Sequence, residues 1–168
     1  KNLGVDGIKT GFLTVEKYSL ASSMQADKRR LTAVVSGFPN KNSRSRESAK
    51  LLNWGLRNFD TIEVAVKEKP FAEIDVWLGK KEKIPVVTNE DIYLTVPKRK
   101  RKTIKAILEY EGPLESPITK GQKVGSLNIY VAGDLIKEID VLSNESVKRS
   151  NIFSRIYKSF NFLVWGDV

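Results

Sequence analysis

Residues 18–24, YSLASSM, and residues 31–36, LTAVVS, decide the fold of the first part of this chain. Both runs are short and rich in residues that suit a strand, and the sequence between them, QADKRR, is polar and turn-like. Two such runs joined by a polar turn predict an antiparallel β-hairpin. The sequence GFPN at residues 37–40 then ends the sheet, because glycine and proline interrupt regular pairing.

The hairpin is followed by a helical pattern. From about Ser43 to Phe59 the apolar spacing becomes that of a helix, with Leu52, Leu56 and Phe59 on one stripe. Asn42 or Ser43 is expected to cap this helix, because either side chain can accept a hydrogen bond from a free N–H group of the first turn. Strands followed by a helix predict an α+β arrangement for this part.

Residues 61–147 have a different character, being rich in Val, Ile and Thr and punctuated by Gly and Pro. Gly121 and Gly133 each stand in a tight-turn sequence. Many short strands with such punctuation predict a small all-β sandwich. The candidate strands are residues 62–66, 74–78, 84–87, 92–96, 103–110, 123–131 and 135–142.

The last part, residues 148–168, predicts an amphipathic helix. At about 100° per residue, seven apolar side chains fall within an arc of about 140°. A terminal helix of this kind, with aromatic residues and Lys or Arg on its flanks, is typical of a membrane-surface anchor, and packing on a protein core is the alternative. The seven residues are Ile152, Phe153, Ile156, Tyr157, Phe160, Leu163 and Val164.

Composition narrows the chemistry. The 168 residues include no Cys and no His, which excludes disulfides, Cys/His zinc sites and a nucleophile activated by His. No metal site and no organic cofactor is predicted. Of the net charge of +9, residues 1–60 carry 11 basic against 5 acidic side chains, residues 61–147 carry 14 against 14, and residues 148–168 carry 4 against 1.

Residues 5–11, VDGIKTG, carry the most chemical information. In an edge strand Gly11 would let a ligand backbone approach closely, because it has no side chain. Thr10 offers a hydroxyl group, and Lys9 offers a positive charge for a carboxylate or a nearby proton transfer. On the tripeptide alone, an ordinary hairpin strand with a solvent-facing lysine is the favoured interpretation.

Together with SRSRESAKLLNWG at residues 43–55, this segment resembles the low-molecular-mass penicillin-binding proteins, the serine-type D-alanyl-D-alanine carboxypeptidases. The resemblance continues through YLTVP at residues 93–97 and PITKGQKVG at residues 117–125. It implies three domains. Residues 1–60 would be the C-terminal piece of a penicillin-binding or serine β-lactamase-like domain, residues 61–147 a β-rich domain, and residues 148–168 the amphipathic membrane anchor.

The resemblance also implies site residues. Three motifs build the site in this family, Ser-x-x-Lys, Ser-x-Asn and Lys-Thr-Gly, and the third matches the catalytic candidates Lys9, Thr10 and Gly11. Thr10 would bind the terminal carboxylate of the substrate, and the backbone N–H of Phe12 would be an oxyanion donor. Family members carry His where this chain has Phe12, so only the backbone donor is retained.

A second carboxylate-binding residue is implied at Arg44, which aligns with an arginine of the family. An arginine in the first turn of a helix lies beside free N–H groups and the positive end of the helix dipole, which suits an anion. Arg46 is the alternative for this role.

The nucleophilic Ser, its partner Lys and the Ser-x-Asn motif are expected upstream of residue 1, because no Ser in residues 1–60 stands two places before an Asn. The whole protein would remove the terminal D-Ala from peptidoglycan stem peptides through an acyl-enzyme and would bind β-lactam antibiotics. It would lie on the periplasmic face of the bacterial cytoplasmic membrane. Endopeptidase or β-lactam-hydrolysing activity, and a non-catalytic membrane-associated module, are the alternatives.

The run KRKRK at residues 98–102 allows a nucleic-acid interpretation. Because residues 61–147 have no net charge, a solvated loop is favoured and no nucleic-acid partner is expected. Contact with anionic lipid headgroups or acidic wall polymers is a further possibility.

Overall fold

A computed structural model describes residues 4–26, 29–152 and Ile156. The described chain is mixed α+β, mostly strands with one α-helix. It divides into two compact units, which we call unit 1 (residues 1–62 and 95–101) and unit 2 (residues 63–94 and 102–168). This geometric division is no test of the domain bounds at residues 60 and 147, which stay predictions.

Unit 1 is built on a three-stranded antiparallel sheet. Its strands are β1 (Val5–Leu13), β2 (Lys17–Ala26) and β3 (Arg29–Phe38), in the order β1-β2-β3. The predicted hairpin is confirmed by the antiparallel pairing of β2 with β3. The sheet leaves β1 at one edge, with a bulge near its start where Gly7 has a φ of 152°.

The helix α1 (Lys41–Asn58) follows the sheet. Its N-cap is Asn40, whose side-chain oxygen accepts a hydrogen bond from the backbone N of Ser43 at 2.8 Å. The predicted caps Asn42 and Ser43 are therefore wrong, because both already lie in the first turn. Asn40, in extended conformation directly after a proline, is the residue placed to accept that bond.

The core of unit 1 lies between α1 and the sheet. Met24 of β2, Ala33 of β3 and Leu52 of α1 are buried together, and Leu31 and Leu56 pack against them. The three buried residues are thus one from each element, which holds α1 against β2 and β3.

The remaining strands form two sheets. A two-stranded sheet pairs β4 with β7, and a six-stranded sheet has the order β8-β10-β11-β6-β5-β9. A 3₁₀-helix precedes β8, where the sequence predicts a loop. The bounds are β4 (Phe59–Ala65), β5 (Ala72–Trp77), β6 (Lys83–Val87), β7 (Ile92–Pro97), the 3₁₀-helix (Lys98–Thr103), β8 (Ile104–Glu109), β9 (Leu114–Glu115), β10 (Lys123–Val131) and β11 (Asp134–Ser143).

Each of the seven candidate strands of the sequence overlaps an observed strand, and the predicted turns at Gly121 and Gly133 are confirmed. In β5 and β6 alternate side chains are buried, as the period of a strand with one covered face requires. Ile74, Ile84 and Ile129 are fully buried in unit 2. The sandwich arrangement of the sheets stays a prediction.

A short segment, residues 147–150, is bound to the rest of unit 2 by β-bridges and hydrogen bonds, and we call it the terminal clamp. Val147 forms a β-bridge with Ile118, and Arg149 forms one with Gly79. The carbonyl oxygen of Leu78 accepts three hydrogen bonds, from the Ser150 backbone N at 2.9 Å, the Ser150 hydroxyl at 3.1 Å and the Ser116 hydroxyl at 2.7 Å.

Two of the predicted membrane-anchor residues can be located. Ile152 and Ile156 are 69% and 63% exposed. The other five, Phe153, Tyr157, Phe160, Leu163 and Val164, lie outside the described residues. In the part of the chain that the structure describes, no helix has the length and apolar character needed to cross a membrane.

Candidate functional site

The predicted motif lies in the middle of the edge strand β1. Lys9 pairs with Ala21, Thr10 with Leu20 and Gly11 with Ser19, all across the β1–β2 ladder. Every residue of β1 is exposed. The strand therefore presents an open side along which an extended ligand can lie.

The register assigns the motif residues to the two faces of the sheet. Thr10 and Phe12 share one face with their partners Leu20 and Tyr18, whereas Lys9 and Gly11 point to the other, because successive side chains alternate. The face of Thr10 is also the face of Met24, which packs against α1.

Phe12, Tyr18 and Arg44 form a stack on this face, which we call the aromatic ladder. The ring centroids of Phe12 and Tyr18 are 4.7 Å apart and the planes are tilted by 45°. The guanidinium carbon of Arg44 lies 5.9 Å from the centroid of the Tyr18 ring, within the range of a cation–π interaction. The ladder brings the predicted residues Phe12 and Arg44 to the face that carries Thr10.

Arg44 and its alternative Arg46 have different surroundings. Arg46 donates to the Glu47 carboxylate at 2.9 Å and is 64% exposed. Arg44 is half-buried, and its Nε is buried without a hydrogen-bond partner among the described residues. An arginine without a carboxylate partner keeps its charge for an external anion, which favours Arg44 over Arg46.

Tyr18 is the member of the ladder that sequence reasoning missed. It stands in the predicted strand as one aromatic residue among several, and its position opposite Phe12 follows only from the register. The signal in the sequence is weak: an aromatic residue at the start of the strand that follows the Lys-Thr-Gly segment.

The opposite face, which carries Lys9, is organised by an ion pair. Arg30 donates from its two terminal nitrogens to the two oxygens of Asp6, each at 2.7 Å, and also to the Ser23 hydroxyl at 2.8 Å. The hydrogen bond from Arg30 lowers the pKa of Asp6, and the same bond raises the pKa of Arg30. This bidentate ion pair joins the start of β1 to the start of β3 across β2.

The basic run forms an exposed 3₁₀ turn that connects β7 to β8, with no buried residue, as the predicted solvated connection requires. Lys98 and Arg101 lie 3.6 Å and 3.4 Å from the carboxylate oxygens of Asp60. The Asp60 carboxylate thus pairs with two of the positive charges of the turn.

The Ser-x-Asn triplet occurs twice beyond residue 60. Ser126-Leu127-Asn128 lies in β10, where Asn128 is 6% exposed between its strand partners Ile107 and Glu138. Ser159-Phe160-Asn161 lies outside the described residues. A buried asparagine inside a regular ladder is a poor candidate for a substrate-binding group.

Within the described residues, the chain has no group of three or more acidic side chains that could hold a metal ion. The arrangement around β1 offers instead a hydroxyl group, free main-chain groups on an open strand edge and an arginine that is not paired with an acid. Such a set suits an extended ligand that ends in a carboxylate.

Comparison with known proteins shows the family of the chain. Residues 59–149 match the family model described as the C-terminal domain of penicillin-binding protein 5. D-alanyl-D-alanine carboxypeptidase DacD of Salmonella typhimurium is 35% identical over 162 residues, which cover 95% of this chain and 41% of that protein. D-alanyl-D-alanine carboxypeptidase DacA of Escherichia coli K12 is 33% identical over 156 residues, 92% of this chain and 39% of that protein.

Solved structures give the same picture. Penicillin-binding protein 5 from Haemophilus influenzae matches with a TM-score of 0.70 and 32% identity, over 88% of this chain and 43% of that one. The D-alanyl-D-alanine carboxypeptidase DacD from Francisella tularensis matches with a TM-score of 0.63 and 33% identity, over 88% and 37%.

The chain spans about two fifths of the length of the curated relatives it matches. The family model covers more than half of the chain, and the relatives confirm the resemblance read from the sequence. The chain therefore belongs to the family defined by the C-terminal domain of penicillin-binding protein 5, and the relatives named above are D-alanyl-D-alanine carboxypeptidases.

Proposed function

We propose that the protein containing this chain is a serine-type D-alanyl-D-alanine carboxypeptidase that removes the terminal D-Ala from peptidoglycan stem peptides. The observation that carries the proposal is the placement of Thr10, Phe12 and Arg44 on one face of the sheet, beside the open edge of β1. β-Lactam antibiotics would enter by the same route, since they acylate the same nucleophile.

In the proposed reaction a serine upstream of residue 1 attacks the carbonyl carbon of the penultimate D-Ala. The bond from that carbon to nitrogen breaks, the leaving D-Ala takes a proton, and water then hydrolyses the acyl-enzyme. The Thr10 hydroxyl and the Arg44 guanidinium bind the carboxylate of the leaving D-Ala. The backbone N–H of Phe12 donates to the oxyanion.

Lys9 and Gly11 lie on the other face of β1 and border the same substrate groove, the one beside the open edge of this strand. Side chains on either face of an edge strand can reach a groove beside that strand. Lys9 therefore supplies positive charge to the groove, although its side chain points away from Thr10. Gly11 lets the peptide main chain lie close to β1.

Labelling with a fluorescent penicillin tests the proposal. The 168 residues include no Ser three places before a Lys, so this chain alone should not be labelled. The gene product that includes the sequence upstream of Lys1 should be labelled, and Lys9→Ala in that protein should slow acylation about 100-fold or more. Stoichiometric labelling of the 168-residue chain, or an unchanged acylation rate in Lys9→Ala, would contradict the assignment.

We further propose that residues 152–168 lie on a membrane surface, which would place the protein on the periplasmic face of the cytoplasmic membrane. The large exposed fractions of Ile152 and Ile156 support this, because a stripe packed on a protein core would be covered. The two basic residues of this segment, Arg155 and Lys158, would each add about 1 kcal/mol of attraction to anionic lipid.

Co-sedimentation with vesicles of phosphatidylglycerol and phosphatidylethanolamine tests the anchor. Truncation after Asn151 keeps the terminal clamp and should abolish binding, whereas Lys98→Glu with Arg101→Glu, the matched control on the basic run, should leave most of it. Binding that survives the truncation would overturn the anchor. Binding without any penicillin labelling of the longer protein would favour the non-catalytic membrane-associated module.

A further inference from the structure

We propose that Tyr18 is a positioning residue, whose ring holds the guanidinium of Arg44 in the orientation in which Arg44 receives the substrate carboxylate. The inference rests on the proposed carboxypeptidase function. It assigns a role to a residue outside the three sequence motifs, from the 5.9 Å contact between the Arg44 guanidinium and the Tyr18 ring.

The position of Tyr18 is itself fixed from two sides. Its main chain pairs with Phe12 on β1 and with Phe38 on β3, so the residue is held in the middle of the sheet. Its ring is half-buried and packs on the Phe12 ring at 4.7 Å. A ring held in this way is a rigid platform, because the neighbouring strands and the Phe12 ring restrict its rotation.

The electrostatics suit a positioning role. A carboxylate partner would orient Arg44 but would also neutralise it and compete with the substrate. The face of an aromatic ring attracts the guanidinium only through its quadrupole, so Arg44 keeps its full positive charge. Among the described residues Arg44 has no ion pair, and its Nε has no hydrogen-bond partner, so the Tyr18 ring is the contact that orients the guanidinium.

The helix supports the same geometry. Arg44 is the fourth residue of α1, and the first turn contains no acidic side chain. The positive end of the helix dipole and the uncompensated guanidinium therefore act in the same direction on an incoming carboxylate. The arrangement places specificity for a free C-terminal carboxylate in the pair Tyr18–Arg44.

Steady-state release of D-Ala tests the role, with the gene product that includes the upstream sequence and a tripeptide ending in D-Ala-D-Ala. Tyr18→Leu removes the platform and should raise KM about five-fold to twenty-fold with kcat within about two-fold, because it weakens carboxylate binding in ground state and transition state alike. Tyr18→Phe keeps the ring and should restore KM to within about two-fold. Tyr18→Met tests the same point if the Leu variant does not fold.

A double-mutant cycle separates positioning from general stability. In the Arg44→Ala background, Tyr18→Leu should have no further effect on KM, since the group that it orients is gone. The matched control is Phe59→Leu, which disrupts the other aromatic pair of unit 1, with Trp54 at 5.4 Å, and should leave KM unchanged.

Two outcomes would overturn the inference while the proposed function stands. One is a wild-type KM in Tyr18→Leu, and the other is an undiminished effect of Tyr18→Leu when Arg44 is already Ala. A wild-type protein that neither releases D-Ala nor reacts with penicillin would overturn the proposed function, and this inference with it.

Discussion

Unit 1 and unit 2 differ in how much of their apolar surface they bury. In unit 1 the described core is small, centred on Met24, Ala33 and Leu52, while Ile8, Val34 and Trp54 are 65%, 76% and 54% exposed. Unit 2 has a long series of fully buried branched residues, among them Ile74, Val86 and Ile129. The described residues of unit 1, which carry the candidate site, therefore include fewer buried apolar side chains than those of unit 2.

The two units also differ at their strand edges. Every residue of β1, at the edge of the described sheet of unit 1, is exposed, so this edge is open to an extended ligand. In unit 2, by contrast, β5 buries its alternate residues Ile74 and Val76, and β6 buries Ile84, Val86 and Val87.

The largest expected effect breaks the close packing of unit 2. Ile129→Ala removes a side chain with 0% exposure and should lower the free energy of unfolding by about 3–4 kcal/mol. Urea unfolding measures the loss, and hydrogen exchange should show lost protection in unit 2. Ile136→Ala, at a residue that is 54% exposed, is the control and should change stability by less than about 0.5 kcal/mol. Equal losses in both variants would contradict the comparison.

A smaller effect is expected from Gly125→Ala in β10. A Cβ atom there would lie 2.5 Å from the carbonyl oxygen of Glu109 and 2.9 Å from the Tyr110 Cβ. Because the first of these is backbone of the neighbouring strand, β8 has to shift, at a cost of about 1–3 kcal/mol. Thermal unfolding measures the change, and unaltered stability would show that β10 and β8 are less tightly packed than described.

Unit 1 should respond in the opposite direction to the same substitution. At Gly55, inside α1, an added Cβ would meet only the Leu31 side chain, at an ordinary 3.5 Å. Gly55→Ala should therefore stabilise the protein by about 0.5–1 kcal/mol through helix propensity alone. A loss of stability in this variant would mean that unit 1 has less free space than its packing indicates.

The smallest effect concerns the Asp6–Arg30 pair. Because the pKa of Asp6 is lowered in the folded state, its stabilising contribution is present above the unfolded pKa of about 3.9 and is lost as pH falls through the folded pKa. Melting temperatures measured between pH 2 and pH 7 should therefore fall more steeply in the wild type than in Asp6→Asn. Parallel curves would exclude a role for this pair in the stability of unit 1.

The strands and the helix could be predicted from the sequence because the spacing of their apolar residues is visible within each short segment. The two-residue strand β9 was missed, since it pairs in parallel with β5 at Val76 and Trp77 and has no period of its own. The N-cap was misplaced because the helix begins two residues before the predicted start at Ser43, so that Asn40 and not Asn42 precedes its first turn. The basic run has no apolar spacing from which the 3₁₀-helix could be recognised.

The candidate site was foreseen to a similar degree. Lys9, Thr10 and Arg44 were found through the motif and the alignment, and those assignments stay predictions. The division of Lys9 and Thr10 between two faces depends on the register of β1 with β2, which no local pattern determines. For the same reason Tyr18 could not be singled out before its partners were known.

The terminal clamp has a mechanical consequence. Tension on the chain beyond Ser150 acts first on the two hydrogen bonds from Ser150 to the Leu78 carbonyl oxygen and on the backbone bond from Lys80 N to Lys148 O at 3.0 Å. The force is thus transmitted to the segment directly after β5, which is distant in sequence from β11, and several hydrogen bonds share it. Such tension would therefore act on residues 78–80 before it acts on the strand pairs of β11.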